Sequence, residues 1–349
     1  MANDSWQNPL LSMKIRFSLL AIFGLWPEVA SADEKPIPVN VSNFVRAESD
    51  RYFSEAVRDN GLGKLGHRRQ PTPIDQQTVV RMNRDTLYSS GVFDLGASPI
   101  TVTLPDAGPR YLSLQVISQD HYTTEVVYAP GTHSYTKEQV GTRYVYLIFR
   151  TLVDAQNQDD VKAANALQDA IHVKQESTGT FEVPTWDRIS LDRVRNSLLA
   201  LAAEGGMKTM FGHKDEVDPV SFLLASAGGW GGNPPDAAIY LPVYPKNSDG
   251  TVAHRLDVKD VPVDGFWSIS VYNEKGFFEK NELGAYSVNN LTAKPNDDGT
   301  FSIQFGGDPK AAPNYLPITK GWNYTVRLYR PRKEIIEGTW KFPEAAPIK

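Results

Sequence analysis

Along this chain the spacing of apolar positions changes more than once, and each change predicts a different element. From residue 42 they recur near the 3.6 period: Phe44, Val45, Tyr52, Phe53, Ala56 and Val57 share one face. Ser42 stands where an N-cap belongs and Gly61 where a helix stops, so one helix is expected ahead of the first sheet. Between residues 78 and 151 the period drops to two. Ile100-Thr101-Val102-Thr103-Leu104 and Leu112-Ser113-Leu114-Gln115-Val116 alternate apolar with polar side chains, as strands do when one face packs and the other is wet. Residues 144–149 are more uniformly apolar and read as a central strand.

Helical periodicity returns at residues 159–171 and 187–201, the second run carrying Ile189, Val194, Leu198 and Leu201 on one side and ending at Gly205-Gly206. A Gly/Trp/Pro cluster at 228–235 then precedes a second set of strands at 238–243, 255–258, 266–272, 300–305 and 322–329. The Asn-Ser-Asp-Gly at 247–250 and the Asn-Asp-Asp-Gly at 296–299 read as hairpin turns. The fold class expected is mainly β with helical additions: two antiparallel β-sandwich modules, jelly-roll or immunoglobulin-like, joined by a helical segment. The N-terminal β module with its leading helix spans 40–180, a helical, Gly-rich connector 181–235, and the C-terminal β-sandwich module 236–349. A gapless echo sets Tyr111-Leu-Ser113-Leu-Gln-Val116 on Phe266-Trp-Ser268-Ile-Ser-Val271. Related strand patterns and simple convergence of half-buried strands both account for it.

Residues 13–32 have the order of a secretory signal peptide: a basic stretch at Lys14 and Arg16, an apolar run from Phe17 to Leu25, and Ala30-Ser31-Ala32 as the cleavage site. The run is too short for a bilayer span, which takes roughly 20 apolar residues. A periplasmic or secreted protein is expected, processed near Ala32, with Met1 and Met13 both open as the start. The 349 residues include no cysteine, which removes disulfides, thiolate nucleophiles and Cys-ligated metals. A net charge of −5 gives no electrostatic footprint for nucleic acid.

Several short motifs fail on context. Gly61-Leu-Gly63-Lys-Leu-Gly66 fits G-x-G-x-x-G, but follows a helix where a dinucleotide site needs a strand. Ser134-Tyr-Thr-Lys137 lacks the partner motifs of S-x-x-K enzymes, and there is no G-x-S-x-G elbow. The two Asn/Asp-Gly turns lack the spaced acids of a calcium loop. No two histidines have the spacing of a local metal motif. A metal assembled from distant strands would draw on His121, His133, Asp120 and Glu125.

Two stretches carry more chemistry. Residues 81–88, Arg-Met-Asn-Arg-Asp-Thr-Leu-Tyr, gather guanidinium, amide, carboxylate and phenol groups at the start of a strand, suited to orienting a carboxylate or sugar hydroxyls or to pinning the loop to the sheet. The second joins Tyr272, Tyr286, Asn289, Asn290 and the run from Trp322 to Arg330, aromatic faces with polar donors that suit a polar ring or a packed core.

The segments 80–89, 264–273 and the tail Trp322-Asn-Tyr-Thr-Val-Arg327-Leu-Tyr329-Arg330-Pro331 resemble the tandem bacterial family of domains of unknown function 1254 and 1214, over nearly the whole chain from about Val39. Asn314-Tyr315-Leu316-Pro317 departs from it conservatively, with Tyr where many members have Trp. The resemblance implies two β-sandwich modules with helical additions, export and a homo-oligomer. It carries no reaction, no cofactor and no catalytic residue. The expectation drawn from the residues is a module that binds or acts on a small polar or carbohydrate-like ligand, with Arg84, Asp85, Tyr88, Tyr272, Asn290 and Arg327 as contacts. A structural or assembly protein of the envelope and a hydrolase with an oxygen- or His-ligated metal are the alternatives.

Overall fold

The protein is described by a computed structural model over residues 35–77 and 80–348; the leader expected at 13–32 lies outside the described residues. Helix α1 (Phe44–Asn60) comes first. Its N-cap is Asn43 rather than Ser42, whose hydroxyl is donated to Asn40 Oδ1. Gly61 ends it at φ 88°, a left-handed value that suits a residue without Cβ. The G-x-G-x-x-G run thus connects a helix to a strand, the reverse of a dinucleotide fingerprint.

The N-terminal strands are β1 (Gly66–His67), β2 (Thr86–Asp94), β3 (Ile100–Leu104), β4 (Leu112–Ser118), β5 (Thr123–Tyr128) and β6 (Gly131–Tyr135). Then come α2 (Lys137–Val140), β7 (Tyr144–Leu152), α3 (Gln158–Asp169) and β8 (His172–Gln175). They form two sheets, β1-β2-β7-β4-β5 and β6-β3-β8. Helices α4 (Arg188–Ala202) and α5 (Pro219–Gly228) follow. The C-terminal elements are β9 (Ala238–Val243), β10 (His254–Val258), β11 (Trp267–Tyr272), β12 (Ser287–Asn289), β13 (Phe301–Phe305), β14 (Asn314–Leu316), β15 (Asn323–Tyr329), α6 (Lys333–Ile336) and β16 (Ala346–Pro347). Their sheets run β12-β11-β15-β9 and β14-β13-β10-β16.

These orders repeat one plan. Without β1 and β14, the row β2-β7-β4-β5 has the connectivity of β9-β15-β11-β12, and β6-β3-β8 that of β13-β10-β16. Helices α3 and α6 occupy the same place in the two halves, each between the strand that closes the larger sheet and the strand that completes the smaller one. The echo between residues 111–116 and 266–271 falls on β4 and β11, which are equivalent in this plan, and Tyr111 and Phe266 touch at 5.2 Å between ring centres.

Alternation explains both cores. In the N-terminal half Leu112, Leu114, Val116, Val145, Leu147 and Phe149 meet Ile100, Val102 and Leu104 of the three-stranded sheet. In the C-terminal half Ile269, Val271, Val326 and Leu328 meet Leu256, Val258, Ile303 and Phe305. Each such side chain adds about 1.5–3 kcal/mol by leaving water. The other face of β2 and β7 carries Val92, Tyr144 and Tyr146, covered by Phe53 and Ala56 of α1 and by Trp230. The architecture is mainly β with a few helices, and β7 is the central strand of its sheet, as its apolar run predicts.

Three expectations are corrected. Residues 247–250 and 296–299 are not hairpin turns: the first links β9 to β10 and the second β12 to β13, strands of different sheets. Asp249 accepts from the N–H groups of Thr251 and Val252, and Asp298 from that of Thr300, so each turn is closed by its own aspartate without pairing the flanking strands. Pairing is not wholly antiparallel, since β13 and β14 run parallel. Helix α5 escapes the periodicity reading because its sequence is apolar or small on every side. Its readable sign is Asp218-Pro219, where the carboxylate accepts from Ser221 N at 2.8 Å and proline fills the first turn.

The chain passes closely at Gly265. A Cβ there would lie 2.7 Å from Tyr329 O and 3.2 Å from the Tyr111 ring. Gly265→Ala is expected to cost about 1–3 kcal/mol by overpacking, read from urea unfolding midpoints. An unchanged midpoint would show that the strand gives way freely.

Candidate functional site

Two arginines stand on equivalent strands in equivalent surroundings. In the N-terminal half Arg150 of β7 pairs across the sheet with Ser113 of β4 on one side and Tyr88 of β2 on the other. In the C-terminal half Arg327 of β15 pairs with Ser268 of β11 and Tyr240 of β9. Each sheet therefore carries a Ser–Arg–Tyr row. The correspondence extends to hydrogen bonds. Arg150 Nη1 donates to Gln115 Oε1 and Arg327 Nη1 to Ser270 Oγ, both at 2.8 Å and both two residues beyond the serine of the row.

The second nitrogen of each guanidinium reaches into the other half. Arg150 Nη2 donates to Gly231 O at 2.9 Å, in the lead-in to β9, and Arg327 Nη2 to Arg81 O at 2.8 Å, in the lead-in to β2. Both acceptor residues have left-handed backbone, φ 78° at Gly231 and 53° at Arg81. At a non-glycine position such a conformation is held by its surroundings, and strain of this kind concentrates at functional sites. The same lead-ins supply an amide to each tyrosine. Asn233 Nδ2 donates to Tyr240 OH at 2.9 Å. Asn83 Nδ2 lies 3.4 Å from Tyr88 OH and 2.9 Å from Tyr329 OH.

Arg150 and Arg327 are 4% and 3% exposed. An arginine keeps its charge at any accessible pH, and burying a charge is costly unless it is partnered. Among the described residues neither forms an ion pair, unlike Arg143 with Asp94 or Arg195 with Glu48. Their described hydrogen bonds go to uncharged oxygens. Asp85, 1% exposed, is the acid whose charge acts on Arg327, although the two are not hydrogen-bonded. Beside this arrangement lies a cavity of about 420 Å³, lined by Arg81, Asn83, Tyr88, Tyr240, Arg327 and Tyr329 among others. Tyr240, 40% exposed, stands at its open side. Arg81 also donates to Tyr244 OH and, at 3.0 Å, to Asn323 Oδ1. Two lining residues carry buried polar atoms without a protein partner, Arg81 Nε and Thr325 Oγ1, as do Ser113 Oγ and Ser268 Oγ of the two rows and Asn233 Oδ1. Such groups are exceptional and call for a specific explanation.

Five of the six contacts expected from sequence divide between two places. Tyr88 and Arg327 line this cavity, and Tyr272 supports it, its hydroxyl accepting from Arg327 Nη2 at 2.6 Å and donating to Met82 O at 2.9 Å. Arg84 and Asp85 do not pair with each other. They line a neighbouring cavity of about 340 Å³. There Arg84 donates to Thr72 O and lies over the Tyr286 ring, while Asp85 Oδ1 accepts from Ser287 Oγ at 3.2 Å. Asn290 belongs to neither lining, and its Oδ1 is buried without a partner. Arg150 and Tyr240 were not among the six. The sign for Arg150 was a lone cation inside an apolar central strand; Tyr240 becomes visible only through its register with Arg327.

No group of three or more His, Asp or Glu placed to hold a metal occurs among the described residues. Of the side chains considered for one, Asp120 is paired with Arg46. His121 has both ring nitrogens engaged: Gly231 N–H donates to Nε2 at 2.8 Å, so Nδ1 carries the hydrogen and donates it to Ser226 Oγ at 2.9 Å. Ser226 in turn donates to Phe222 O at 2.7 Å. The Ser226–His121 contact therefore runs in the wrong direction for a serine nucleophile and its base.

Comparison with known proteins adds family and fold. The family described as "Protein of unknown function (DUF1254)" matches residues 62–139, and that described as "Protein of unknown function (DUF1214)" matches residues 245–333. The first match takes in Asn83, Tyr88 and Ser113, the second Ser268, Arg327 and Tyr329; Arg150 and Tyr240 lie outside both. No curated protein matches the chain. The crystal structure of the VPA0106 protein from Vibrio parahaemolyticus is similar with a TM-score of 0.67 and 18% identity, over 88% of this chain and 98% of that one. An uncharacterized protein from Burkholderia cenocepacia is similar with a TM-score of 0.51 and 14% identity, over 88% and 87%. At these identities the likeness is one of fold.

His121 holds Gly231 in place, and Gly231 holds Arg150. Burial depresses the His121 pKa to about 3, so the imidazole is neutral in the fold while the unfolded chain takes up a proton below about 6.5. Its contribution is fully present above pH 6.5 and is lost as pH falls from there toward 3. The expected slope is on the order of 1 kcal/mol per pH unit. Urea unfolding between pH 7 and 4 should show that slope reduced by about one proton in His121→Asn. Parallel pH profiles for the two proteins would refute the assignment.

Proposed function

We propose that this chain, a member of the tandem family that joins DUF1254 to DUF1214, is an exported protein that holds a small organic anion in the cavity between its two halves. The observation that carries this reading is the pair of buried arginines with neutral partners, of which Arg327 lines the cavity together with Arg81 while Arg150 lies behind Tyr88. A structural arginine is ordinarily quenched by a carboxylate; here the positive potential is left available to something in the cavity. The volume suits a ligand of one or two rings. Tyr88, Tyr240, Tyr244 and Tyr329 offer faces and hydroxyls, as a carbohydrate-like or aromatic acid requires. Export is supported by the basic, apolar and small-residue order of residues 13–32.

Calorimetric titration with glucuronate, galacturonate and mandelate against glucose and benzyl alcohol tests the charge requirement. At least one acid is expected to bind where the neutral compounds do not, weakening with added salt. Arg81→Gln, at a half-buried position, should weaken that binding about tenfold or more, the effect of losing one charge-assisted hydrogen bond. Equal affinity for acids and neutral compounds, or no binding by any acid, would sink the reading. Mass spectrometry of the protein recovered from the periplasm or medium should give a chain beginning at Asp33. A chain retaining residues 13–32 in the cytosol would count against export.

A further inference from the structure

The repeated plan brings two phenols to one cavity from two different walls, Tyr88 from the N-terminal sheet and Tyr240 from the C-terminal one. We propose that they form a proton-transfer pair: Tyr88 removes a hydrogen from the carbon that bears the ligand's carboxylate, and Tyr240 delivers one to the opposite side of that carbon. This deepens the anion-binding reading and rests on it.

Geometry gives the two tyrosines what such a pair needs. Each hydroxyl oxygen accepts from an asparagine amide, Asn83 for Tyr88 and Asn233 for Tyr240. A donor aimed at a phenol oxygen favours its ionised form and leaves the phenol's own hydrogen free to point elsewhere. The surroundings then diverge. The Arg150 guanidinium lies 5.6 Å from the centre of the Tyr88 ring. Tyr240 meets the edge of Tyr329 at 6.4 Å, and although the residue is 40% exposed its hydroxyl end is buried against Asn233. Titration follows the same asymmetry. For Tyr88, burial acts to raise the hydroxyl, but the Arg150 charge and the Asn83 hydrogen bond outweigh it and lower the pKa. For Tyr240, burial of the hydroxyl end dominates and raises it, although the Arg150 and Arg327 charges and the Asn233 hydrogen bond act to lower it. Two like groups driven apart in this way are a recognised basis for acid and base roles.

The step balances without any added reagent. The C–H bond breaks toward the Tyr88 phenolate oxygen, and its electron pair moves onto the carboxylate, where Arg81 and Arg327 are at hand to oppose the growing negative charge. A new C–H bond forms with the hydrogen of the Tyr240 phenol. The carbon is inverted, nothing is oxidised or reduced, and Tyr88 is left as phenol and Tyr240 as phenolate until exchange with water restores both. The ligand class is accordingly a chiral carboxylic acid with hydrogen on the carbon next to the carboxylate.

The test is proton NMR of the whole protein with D-galacturonate, D-glucuronate and each enantiomer of mandelate in deuterium oxide, alongside the binding titration. The result expected is deuterium entering the carbon next to the carboxylate, with inversion, for an acid that binds. Tyr88→Phe should slow exchange from one stereoisomer about a hundredfold or more, the usual share of a general base. Tyr240→Phe should abolish inversion while exchange with retention persists at Tyr88. Both variants should still bind the acid, which separates loss of chemistry from loss of folding. An acid that binds without exchange overturns the proton-transfer pair and leaves the anion reading standing. Exchange that survives in both variants also overturns it. Failure of every acid to bind overturns the anion reading and this inference with it.

Discussion

Arg150 and Arg327 set the terms for the rest of the structure. Each stands on a strand flanked on both sides, so its guanidinium cannot reach water along the sheet and must be satisfied from above. Taking such a charge out of water costs several kcal/mol even after relaxation. The offset comes from neutral oxygens, Gln115 Oε1 or Ser270 Oγ and Tyr272 OH on the arginine's own sheet, and Gly231 O or Arg81 O on the chain that leads into the other half. Burying the arginines therefore ties the halves together. It also fixes the two lead-ins, and with them Asn83 and Asn233, in the positions that shape the cavity.

The apolar pattern leaves room for this arrangement because each larger sheet commits only one face to its own core. Val145, Leu147 and Phe149 of β7 and Val326 and Leu328 of β15 face inward, which turns Arg150 and Arg327 to the opposite side by period two alone. A register slip of one residue would bury an arginine in a hydrocarbon core, so the cores and the site specify one another. The two rows are not copies. Two residues after Arg150 comes Leu152, whereas two after Arg327 comes Tyr329, and that phenol shares the Asn83 amide with Tyr88. Local packing follows: Tyr329 stacks on Phe266 at 4.1 Å, and Leu152 joins the same cluster from the N-terminal side.

What could be read from sequence is what depends on near neighbours along the chain. The strand reading located β3 and β9 to the residue and β4, β10, β11, β13 and β15 within one or two, while the shorter and edge strands were not delimited; 3.6 periodicity located α1, α3 and α4. Helix α5 was missed because burial on several sides erases the period. The two Asn/Asp-Gly segments were misread because an aspartate that caps its own turn looks the same whether the flanking strands pair or part. Tyr88, Tyr272 and Arg327 were found as polar groups on strands that had no local need of them. Arg150 and Tyr240 depend on cross-strand register and on loops exchanged between halves; the first shows in sequence only as a lone cation in an apolar strand, and the second leaves no trace in the spacing of residues. The echo between residues 111 and 266 was the one local sign of the repeat, and it marks the serine of each row.

The choice of neutral acceptors over a carboxylate decides what the cavity can do. A carboxylate hydrogen-bonded to Arg150 would have cancelled its field within a few ångströms. With Gln115 and Gly231 as partners the field persists. At an effective dielectric constant of about 20, a unit charge about 5.6 Å away gains on the order of 3 kcal/mol from it, which is enough to hold an anionic group or favour an ionised phenol in the Tyr88 position. Asp85 balances the total only partly and from the far side of the wall, where it faces the neighbouring cavity and leaves Oδ2 without a partner. The repeat thus supplies two equivalent cationic rows that differ chemically: guanidinium charge outweighs burial at the Tyr88 hydroxyl and lowers it, whereas burial outweighs Arg150 and Arg327 at Tyr240 and raises it. A symmetric scaffold with asymmetric charge places unlike groups on two walls of one cavity without requiring unlike folds.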